Sequence, residues 1–201
     1  MQKHLFLVIT IVIAGLSSRA QVKKGNWLLG SSFSYTHSSS KYDMSAYNTS
    51  QYTGAVELLP GLAVADKTVI GIRAGFAFAG NKQTGGKSTA FGFLPGVYWN
   101  QYFPCNEKLG FYTHVEAGYD KVTSKNTAAF PDKYTATGYD AGVTPAFYFK
   151  ATKKMLINAA IGSLQYVHSK GDDSEHTTKS SFSTTFLNQF TFGIDFILGK
   201  S

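Results

Sequence analysis

The sequence FSTTFLNQFTFGIDFIL, from Phe182 to Leu198, alternates between two sets of side chains. One set is dominated by phenylalanine: Phe182, Thr184, Phe186, Asn188, Phe190, Phe192, Ile194, Phe196 and Leu198. The interleaved set, from Ser183 to Ile197, is mostly polar and includes Gln189 and Asp195. A period of two predicts one long strand with a single apolar face. Because an exposed apolar stripe of this size would aggregate in water, another surface must cover it, and we favour lipid.

The N-terminus predicts export. Lys3 and His4 precede an uncharged run from Leu5 to Leu16, and the small residues Ser18 and Ala20 follow at the spacing that a signal peptidase accepts. We therefore expect a cleaved signal peptide over residues 1–20 and one domain over residues 21–201. The apolar run is shorter than the ~20 residues of a spanning helix, which disfavours an uncleaved anchor.

The composition favours an aromatic-rich β protein, since aromatic residues are 15% of the chain, charged residues only 15%, and glycines number 20. The single cysteine, Cys105, cannot form an intramolecular disulfide. Loss of Lys3 and Arg19 with the signal leaves 17 of the 19 Lys and Arg residues against 12 Asp and Glu, a charge of +5. No arginine-rich patch accompanies this charge, so we expect no nucleic-acid partner, whereas lysines facing anionic lipid headgroups fit it.

Eight stretches alternate between apolar and polar residues, and none after Ala20 has a long helical period. The predicted strands are residues 26–36, 51–62, 68–79, 89–102, 109–122, 135–150, 155–167 and 182–198. Short turns (Val64 to Lys67, Pro104 to Lys108, Thr152 to Lys154) alternate with longer polar segments (His37 to Ser50, Gly80 to Ser88, Ser124 to Tyr134, Ser169 to Ser180). This alternation, with an even strand number, predicts an all-β, eight-stranded, antiparallel up-and-down transmembrane β-barrel with both termini in the periplasm.

The inward faces of these strands predict a filled, polar lumen. Small residues such as Gly71, Gly92 and Gly118 suit the crowded interior of an eight-stranded barrel. Glu57 and Arg73 flank the turn centred near Ala65 symmetrically, so we expect them to form an interior ion pair, since an unpaired charge there would be costly. The polar network is expected to extend through the following inward residues: Glu116, Asp120, Asp140, Asp195, His114 and Lys150.

Two further patterns concern the barrel wall. Aromatic residues near the strand ends predict interfacial girdles, with Trp27, Trp99, Phe103 and Phe149 on the periplasmic side and Tyr35, Tyr52, Tyr119 and Tyr134 outside. Prolines within strands remove a ladder donor, so bulges or strand ends are expected at Pro60, Pro95 and Pro145.

Four segments resemble the small outer-membrane β-barrel domains of Gram-negative bacteria, the eight-stranded OmpA/OmpX-type barrels. They are residues 25–30, residues 60–71, residues 111–119 and the final strand. The resemblance implies a place in the cell outer membrane among lipid and lipopolysaccharide. It also implies an assembly signal read by the barrel-insertion machinery, formed by Thr191, Gly193, Phe196 and Leu198.

Three groups of residues in the sequence partly match known kinds of binding or catalytic site. Residues 81–88 approach a phosphate-binding P-loop, but a strand rather than a helix follows them, so a plain loop is the better interpretation. His37 with Ser39, or His168 with Ser169 and Glu175, could form pieces of a hydrolase that acts on lipid A. The acidic segment with Asp172, Asp173, Glu175 and His176 matches no defined calcium loop.

The sequence thus predicts a monomeric, non-enzymatic barrel without a cofactor, with a structural or surface-interaction role carried by its external loops. A narrow channel or transport-associated barrel is the first alternative, and a lipid-A-modifying enzyme is the second. A soluble ligand-binding barrel of the lipocalin type would turn the pattern inside out.

Overall fold

The computed structural model describes residues 22–41, 48–83, 86–126, 132–171 and 178–199, with no side chains described for residues 40, 41, 48, 83, 132, 161 and 185–190. Eight strands occupy nearly all of them: β1 (Trp27–Lys41), β2 (Asn48–Ala65), β3 (Thr68–Gln83), β4 (Gly86–Pro104), β5 (Leu109–Asn126), β6 (Asp132–Thr152), β7 (Met155–Gly171) and β8 (Thr178–Leu198). Within these ranges no helix is long and apolar enough to cross a membrane. The predicted signal peptide, residues 1–20, lies outside the described residues.

The strands form a closed antiparallel barrel in chain order, with β1 paired to β8. The short turns β2–β3, β4–β5 and β6–β7 lie at the same end as the start of β1 and the end of β8, and we call this the turn end. The other end, where β1 connects to β2, β3 to β4, β5 to β6 and β7 to β8, is the loop end. The predicted fold class is confirmed, with eight strands in the predicted order.

The seam that closes the barrel is shorter than the other strand pairings. β1 pairs with β2 from Trp27 to Lys41, but with β8 only from Trp27 to Ser34, which faces Thr191. Opposite, the β7–β8 register shifts between Ala160 and Gly162, so that Gly162 faces Phe186. This shift changes which side chains of β7 face outward, from Ile157 near the turn end to Leu164 and Tyr166 near the loop end.

The three prolines within strands differ in their effect on the register of strand pairing. At Pro145 the β6–β7 register shifts between Val143 and Ala146, as predicted. At Pro60 and Pro95 the prediction of a bulge or strand end is wrong, because both strands continue with unchanged register on either side. A strand can tolerate a missing donor where only one ladder bond is lost.

The outward face carries an apolar band with many large side chains exposed, including Trp27, Phe33, Ile72, Phe147 and Phe192. Some of these rings stack on the outer wall, for example Phe103 on Phe111, with centroids 4.9 Å apart. All four aromatic residues predicted for the turn-end girdle are exposed: Trp27, Trp99, Phe103 and Phe149. At the loop end, Tyr35 and Tyr119 are exposed, but Tyr134 was wrongly assigned, because it occupies an inward position of β6 and its ring covers Gly171.

Candidate functional site: the barrel interior

The turn end of the lumen is filled by a cluster of apolar and tyrosine side chains, which we call the turn-end cluster. Its members are Val22, Leu28, Ala63, Val69, Tyr98, Tyr102, Tyr112, Ala146, Tyr148, Leu156 and Ile197. Tyr102 stacks on Tyr112 with ring centroids 5.1 Å apart and meets the edge of Tyr148 at 5.6 Å. Only 2% of the surface of Tyr102 is exposed. These three rings come from β4, β5 and β6, so they tie neighbouring strands together across the inside of the wall.

Two of the tyrosines lie flat because glycine stands opposite them. Tyr98 pairs with Gly71 and Tyr148 with Gly110 in the strand ladders. A Cβ on Gly71 would overlap the Tyr98 ring, and one on Gly110 would overlap Tyr148. The Tyr98 hydroxyl donates a hydrogen bond of 2.9 Å to the Leu59 carbonyl, whereas the buried Tyr148 hydroxyl has no hydrogen-bond partner among the described residues.

The segment before β1 closes over the same end. Backbone N–H groups of Gly25 and Lys67 donate to the carbonyls of Ala63 and Val22, at 2.8 and 2.9 Å. The Lys24 N–H also donates to the Asp66 carboxylate at 2.9 Å. Val22, only 1% exposed, is thereby fixed against the cluster. The N-terminal segment and the β2–β3 turn therefore hold each other in place across the turn end.

Beyond this cluster, toward the loop end, the lumen widens into a cavity of about 250 Å³ that we call the chamber. All eight strands contribute to its wall, and three tyrosines of the turn-end cluster, Tyr98, Tyr102 and Tyr112, line its base. Its charged side chains are five carboxylates and one guanidinium: Glu57, Glu116, Asp120, Asp140, Asp195 and Arg73. His114 is also in the lining, so the chamber contains far more potential negative than positive charge.

Arg73 is the centre of the chamber's hydrogen bonds. Its guanidinium donates in a bidentate manner to Asp140, at 2.9 Å from Nη1 and 2.6 Å from Nη2. Nη1 also donates to Glu116 Oε2 at 2.7 Å. Charge-assisted pairs of this planar geometry are strong, and burial makes them depend on complete pairing. The Asp120 carboxyl lies close to Asp140, so a fourth titratable group meets the same cluster.

A row of glycines lets Arg73 reach Asp140 across two intervening strands. In the ladder Arg73 faces Gly96, Gly96 faces Gly118, and Gly118 faces Asp140. A Cβ on Gly96 would lie 3.1 Å from Arg73 Nε, and one on Gly118 would overlap Nη2. The arginine therefore lies along the inner wall, over two positions where any side chain would displace it.

The remaining polar groups extend this network from β4 to β8. His114 Nδ1 lies 2.7 Å from Asn100 Oδ1, its Nε2 lies 3.4 Å from Glu116 Oε2, and its ring stacks on Tyr98 at 5.4 Å. Tyr102 also donates to Asp195 at a longer distance of 3.4 Å. The chamber and the turn-end cluster are thus joined by the Tyr102 hydroxyl, which contacts Asp195, and by the Tyr98 ring, which stacks on His114.

The predicted Glu57–Arg73 ion pair is wrong in its partners. The ladder places Glu57 opposite Gly75, and Glu57 accepts a hydrogen bond of 2.7 Å from Ser32 instead. Arg73 points away from β2, because Glu116 and Asp140 accept hydrogen bonds from its two terminal nitrogens on the far side of the glycine row, while its buried Nε has no partner among the described residues. Lys150 does not line the chamber, since it lies near the turn end of β6, where its N–H donates to the Lys108 carbonyl.

The residues expected to form the assembly signal fall on both faces of β8. Phe196 and Leu198 are exposed outward, Gly193 is packed against Asn158, and Thr191 lines the chamber. Their recognition by an insertion machinery stays a prediction. Gln189, predicted to face the lumen, has no described side chain.

The other constellations find little support as chemical sites. Residues 81–83 of β3 pair with residues 86–88 of β4, so the described residues of this segment belong to strands and not to the helix that a P-loop requires. His168 Nδ1 lies 2.8 Å from Ser180 Oγ at the exposed loop end, while residues 172–177, including Glu175, lie outside the described part. No group of three or more metal-ligating residues is found in the part of the chain that the structure describes.

Sequence reasoning missed the interior tyrosines. Tyr98, Tyr102, Tyr112 and Tyr148 share the inward positions of glycine and asparagine on their strands. Their position in the alternation was a usable signal, because a tyrosine in phase with inward glycines cannot belong to the lipid-facing set.

The fold matches solved outer-membrane proteins, although the sequence matches little. No protein-family model matches the chain, and no curated protein matches it. The chain is similar to the outer membrane protein OprG from Pseudomonas aeruginosa at 13% identity and a TM-score of 0.52, with 90% of this chain and 100% of that chain covered. It is also similar to Neisserial surface protein A at 11% identity and a TM-score of 0.53, with 86% and 97% covered. The chain therefore has the fold of small outer-membrane β-barrels, as its sequence predicted.

Proposed function

We propose that this chain is a non-enzymatic outer-membrane β-barrel with a closed lumen, and that its role is structural or lies in surface contacts made by its external loops. The observation that carries the proposal is the turn-end cluster, which fills the lumen beneath the chamber. The proposal adds a function to the shared fold, because one fold hosts many functions.

The outward apolar band supports the membrane location. Large side chains such as Trp27, Phe33 and Ile72 are more than half exposed. Each of the eight strands contributes exposed apolar side chains to this outward surface. In water this apolar surface would drive aggregation, whereas in a bilayer it would contact the lipid acyl chains. A lipocalin-type barrel would place these side chains in its cavity, so the soluble alternative conflicts with their position.

The closed lumen is supported from two sides. Tyrosine rings pack edge to face and face to face across the turn end, and the N-terminal segment is hydrogen-bonded over them. Eight-stranded barrels have an interior just wide enough for side chains to fill. Ions that enter the chamber from the loop end would then meet a packed apolar layer.

The partners of the proposed function follow from its place. Outer-membrane lipid and lipopolysaccharide surround the wall, and the barrel-assembly machinery would recognise the β8 residues Thr191, Gly193, Phe196 and Leu198 during insertion. Surface contacts would be made by the four connections at the loop end, which comprise residues 42–47, 84–85, 127–131 and 172–177. The chain would act as a monomer and without a cofactor.

A narrow cation channel is the second candidate, and one observation favours it. Five carboxylates line the chamber against one arginine, so a pore through it would attract cations and repel anions. This reading requires the tyrosine layer to move aside, since the chamber ends on it.

The location is tested by the behaviour of the protein in detergent. A transmembrane barrel is expected to need detergent for extraction and to migrate differently on gels before and after heating. A product that is fully soluble and folded without detergent would contradict the proposal. Mass analysis of lipid A with and without the protein tests the enzymatic alternative, and we expect no change.

The closed lumen is tested by recording currents from the purified protein in planar lipid bilayers. The wild type is expected to be silent. Arg73→Ala is expected to remain silent while its heat stability falls, because the arginine pairs charges above a layer that still blocks passage. Steady cation-selective currents from the wild type would favour the channel.

A further inference from the structure

Three of the five chamber carboxylates form no ion pair. Arg73 pairs with the other two, whereas Glu57, Asp120 and Asp195 pair with no basic side chain in the part of the chain that the structure describes. Buried charges are costly unless they are paired. The chamber therefore favours an occupant that brings positive charge of its own.

The arginine in turn has a donor without an acceptor. Its Nε lies over Gly96 on the inner wall and has no hydrogen-bond partner among the described residues, although only 3% of the Arg73 side chain is exposed. A buried donor without an acceptor costs free energy. An occupant that offers a hydroxyl oxygen to this N–H would remove that cost.

Neutral polar side chains form much of the remaining wall. They include Ser34, Thr144, Gln165 and Thr191. Hydroxyl and amide groups both donate and accept hydrogen bonds, so they suit a ligand with several hydroxyl groups. The rings of three tyrosines line the base, and the faces of such rings attract ammonium ions. The wall thus combines groups that recognise hydroxyls with groups that recognise an ammonium ion.

The chamber has the size of a site for a small molecule. Its volume of about 250 Å³ lies just below the ~300–1,000 Å³ of pockets for drug-sized ligands. Toward the loop end, the inward positions of β3 and β4 hold the small residues Ala77, Ala79 and Ala90, which leave room for a ligand to enter. The turn-end cluster blocks the other side, so a ligand would have to leave by the way it came.

A metal ion suits the chamber less well than an organic cation. No group of three or more metal-ligating side chains is found among the described residues. The carboxylates without an ion pair come from three different strands, β2, β5 and β8. Calcium requires roughly 6–8 oxygen ligands around one point, whereas an ammonium group needs only one carboxylate beside it.

We infer that the chamber binds a small hydroxylated amine of the size of an amino sugar. Its ammonium group lies beside Glu57, and one of its hydroxyl oxygens accepts a hydrogen bond from Arg73 Nε. Glu57 faces Gly75, two positions along β3 from Arg73, so one small molecule spans both groups. The inference rests on the closed lumen of the proposed function and deepens it, because it assigns a ligand class to the space above the tyrosine layer.

The test is isothermal titration calorimetry of the full mature protein, folded in a neutral detergent, with glucosamine as the probe. Glucose has the same ring and no charge, and cyclohexylamine has the charge and no hydroxyl groups. Mg²⁺ is the competitor. The variant is Glu57→Gln, which keeps the size of the side chain and an acceptor for Ser32. The matched control is Glu107→Gln, the same exchange at an exposed position of the β4–β5 turn.

We expect one glucosamine to bind per wild-type chain, and the Glu107→Gln control to bind it equally well. Glu57→Gln should bind glucosamine about 10-fold or more weakly, since a hydrogen bond to a charged group is lost. Glucose and cyclohexylamine should each bind the wild type about 10-fold or more weakly than glucosamine, because each lacks one of the two recognised groups. Heat-modifiable migration checks that both variants are folded.

Absence of glucosamine binding to the wild type would overturn the inference. Equal affinities of the two Glu→Gln variants would also overturn it, as would equal affinities of glucosamine and either comparison molecule. Displacement of glucosamine by Mg²⁺ at comparable concentration would overturn it by assigning the chamber to a metal ion. Steady currents from the wild type in planar bilayers would contradict the closed lumen of the proposed function, and that failure is measured separately from ligand binding.

Discussion

The turn-end cluster and the chamber are built by the same strands and differ in how they are filled. On β5 and β6 the inward positions hold Tyr112 and Tyr148 at the turn end, and Glu116 and Asp140 only four to eight residues farther along. The cluster is stabilised by area removed from water, which requires no particular partner. The chamber is stabilised by pairs, so each charge there depends on another.

This difference teaches that alternation alone does not decide what a lumen does. Alternation selects the residues that face inward, while neighbours across the ladder decide whether they pack or pair. In both regions glycines leave room for a large side chain to lie along the wall: Tyr98 and Tyr148 in the turn-end cluster, and Arg73 in the chamber. The cluster should therefore tolerate small changes that the chamber does not.

The largest effect is expected at the chamber's only arginine. Arg73→Met leaves Asp140 and Glu116 buried without a cation, which costs about 3–5 kcal/mol in the free energy of unfolding. Urea unfolding in lipid vesicles measures the loss. The double variant Arg73→Met with Asp140→Leu should recover part of it, because one orphaned charge is removed as well. If Arg73→Met alone is as stable as the wild type, the chamber does not depend on charge pairing, and the contrast with the turn-end cluster fails.

A smaller loss is expected where the glycine row is filled. Gly118→Ala forces the Arg73 guanidinium and Asp140 to move, and overpacking of this kind costs about 1–3 kcal/mol. Gly142→Ala is the matched control, because its Cβ would meet nothing closer than 3.4 Å. Unfolding curves of the two variants are compared under the same conditions. Equal stabilities would mean that Arg73 does not lie over the glycine row.

The smallest effects are expected among the tyrosine hydroxyls of the cluster. Tyr98→Phe loses the hydrogen bond to the Leu59 carbonyl, a change of about 0.5–1.5 kcal/mol. Tyr148→Phe removes a buried hydroxyl without a partner, so its stability should equal or exceed that of the wild type. Thermal midpoints of the two variants rank them directly, and the reverse ranking would show that the two hydroxyls are misassigned.

The barrel itself could be predicted from sequence because a period of two needs no knowledge of neighbours. Strand ends at the turn end were close, but at the loop end the strands are longer than predicted. β1 continues to Lys41, five residues beyond its predicted end at residue 36. The prediction stopped short because the polar segment HSSSK shows no alternation of apolar and polar residues. A constant period of two does not describe β7, because its register with β8 shifts between Ala160 and Gly162.

The interior could be predicted only in part, since contacts between distant strands depend on register. The charged residues that line the chamber followed from their inward phase, whereas the tyrosines at its base were missed. The partner of Arg73 did not follow, because symmetry about the β2–β3 turn points to Glu57, whereas glycines on β4 and β5 open a path to Asp140. The turn itself is centred on Asp66 and Lys67, where Lys67 has a φ of 66°.

The central claim is that the turn-end cluster, and not the charged network, closes the lumen. Single-channel recording of two folded variants in planar bilayers tests it most directly: Tyr102→Ala with Tyr112→Ala in the cluster, and Glu116→Ala with Asp140→Ala in the chamber. We predict ion currents from the tyrosine variant and silence from the carboxylate variant. Currents from the carboxylate variant with silence from the tyrosine variant would contradict the account.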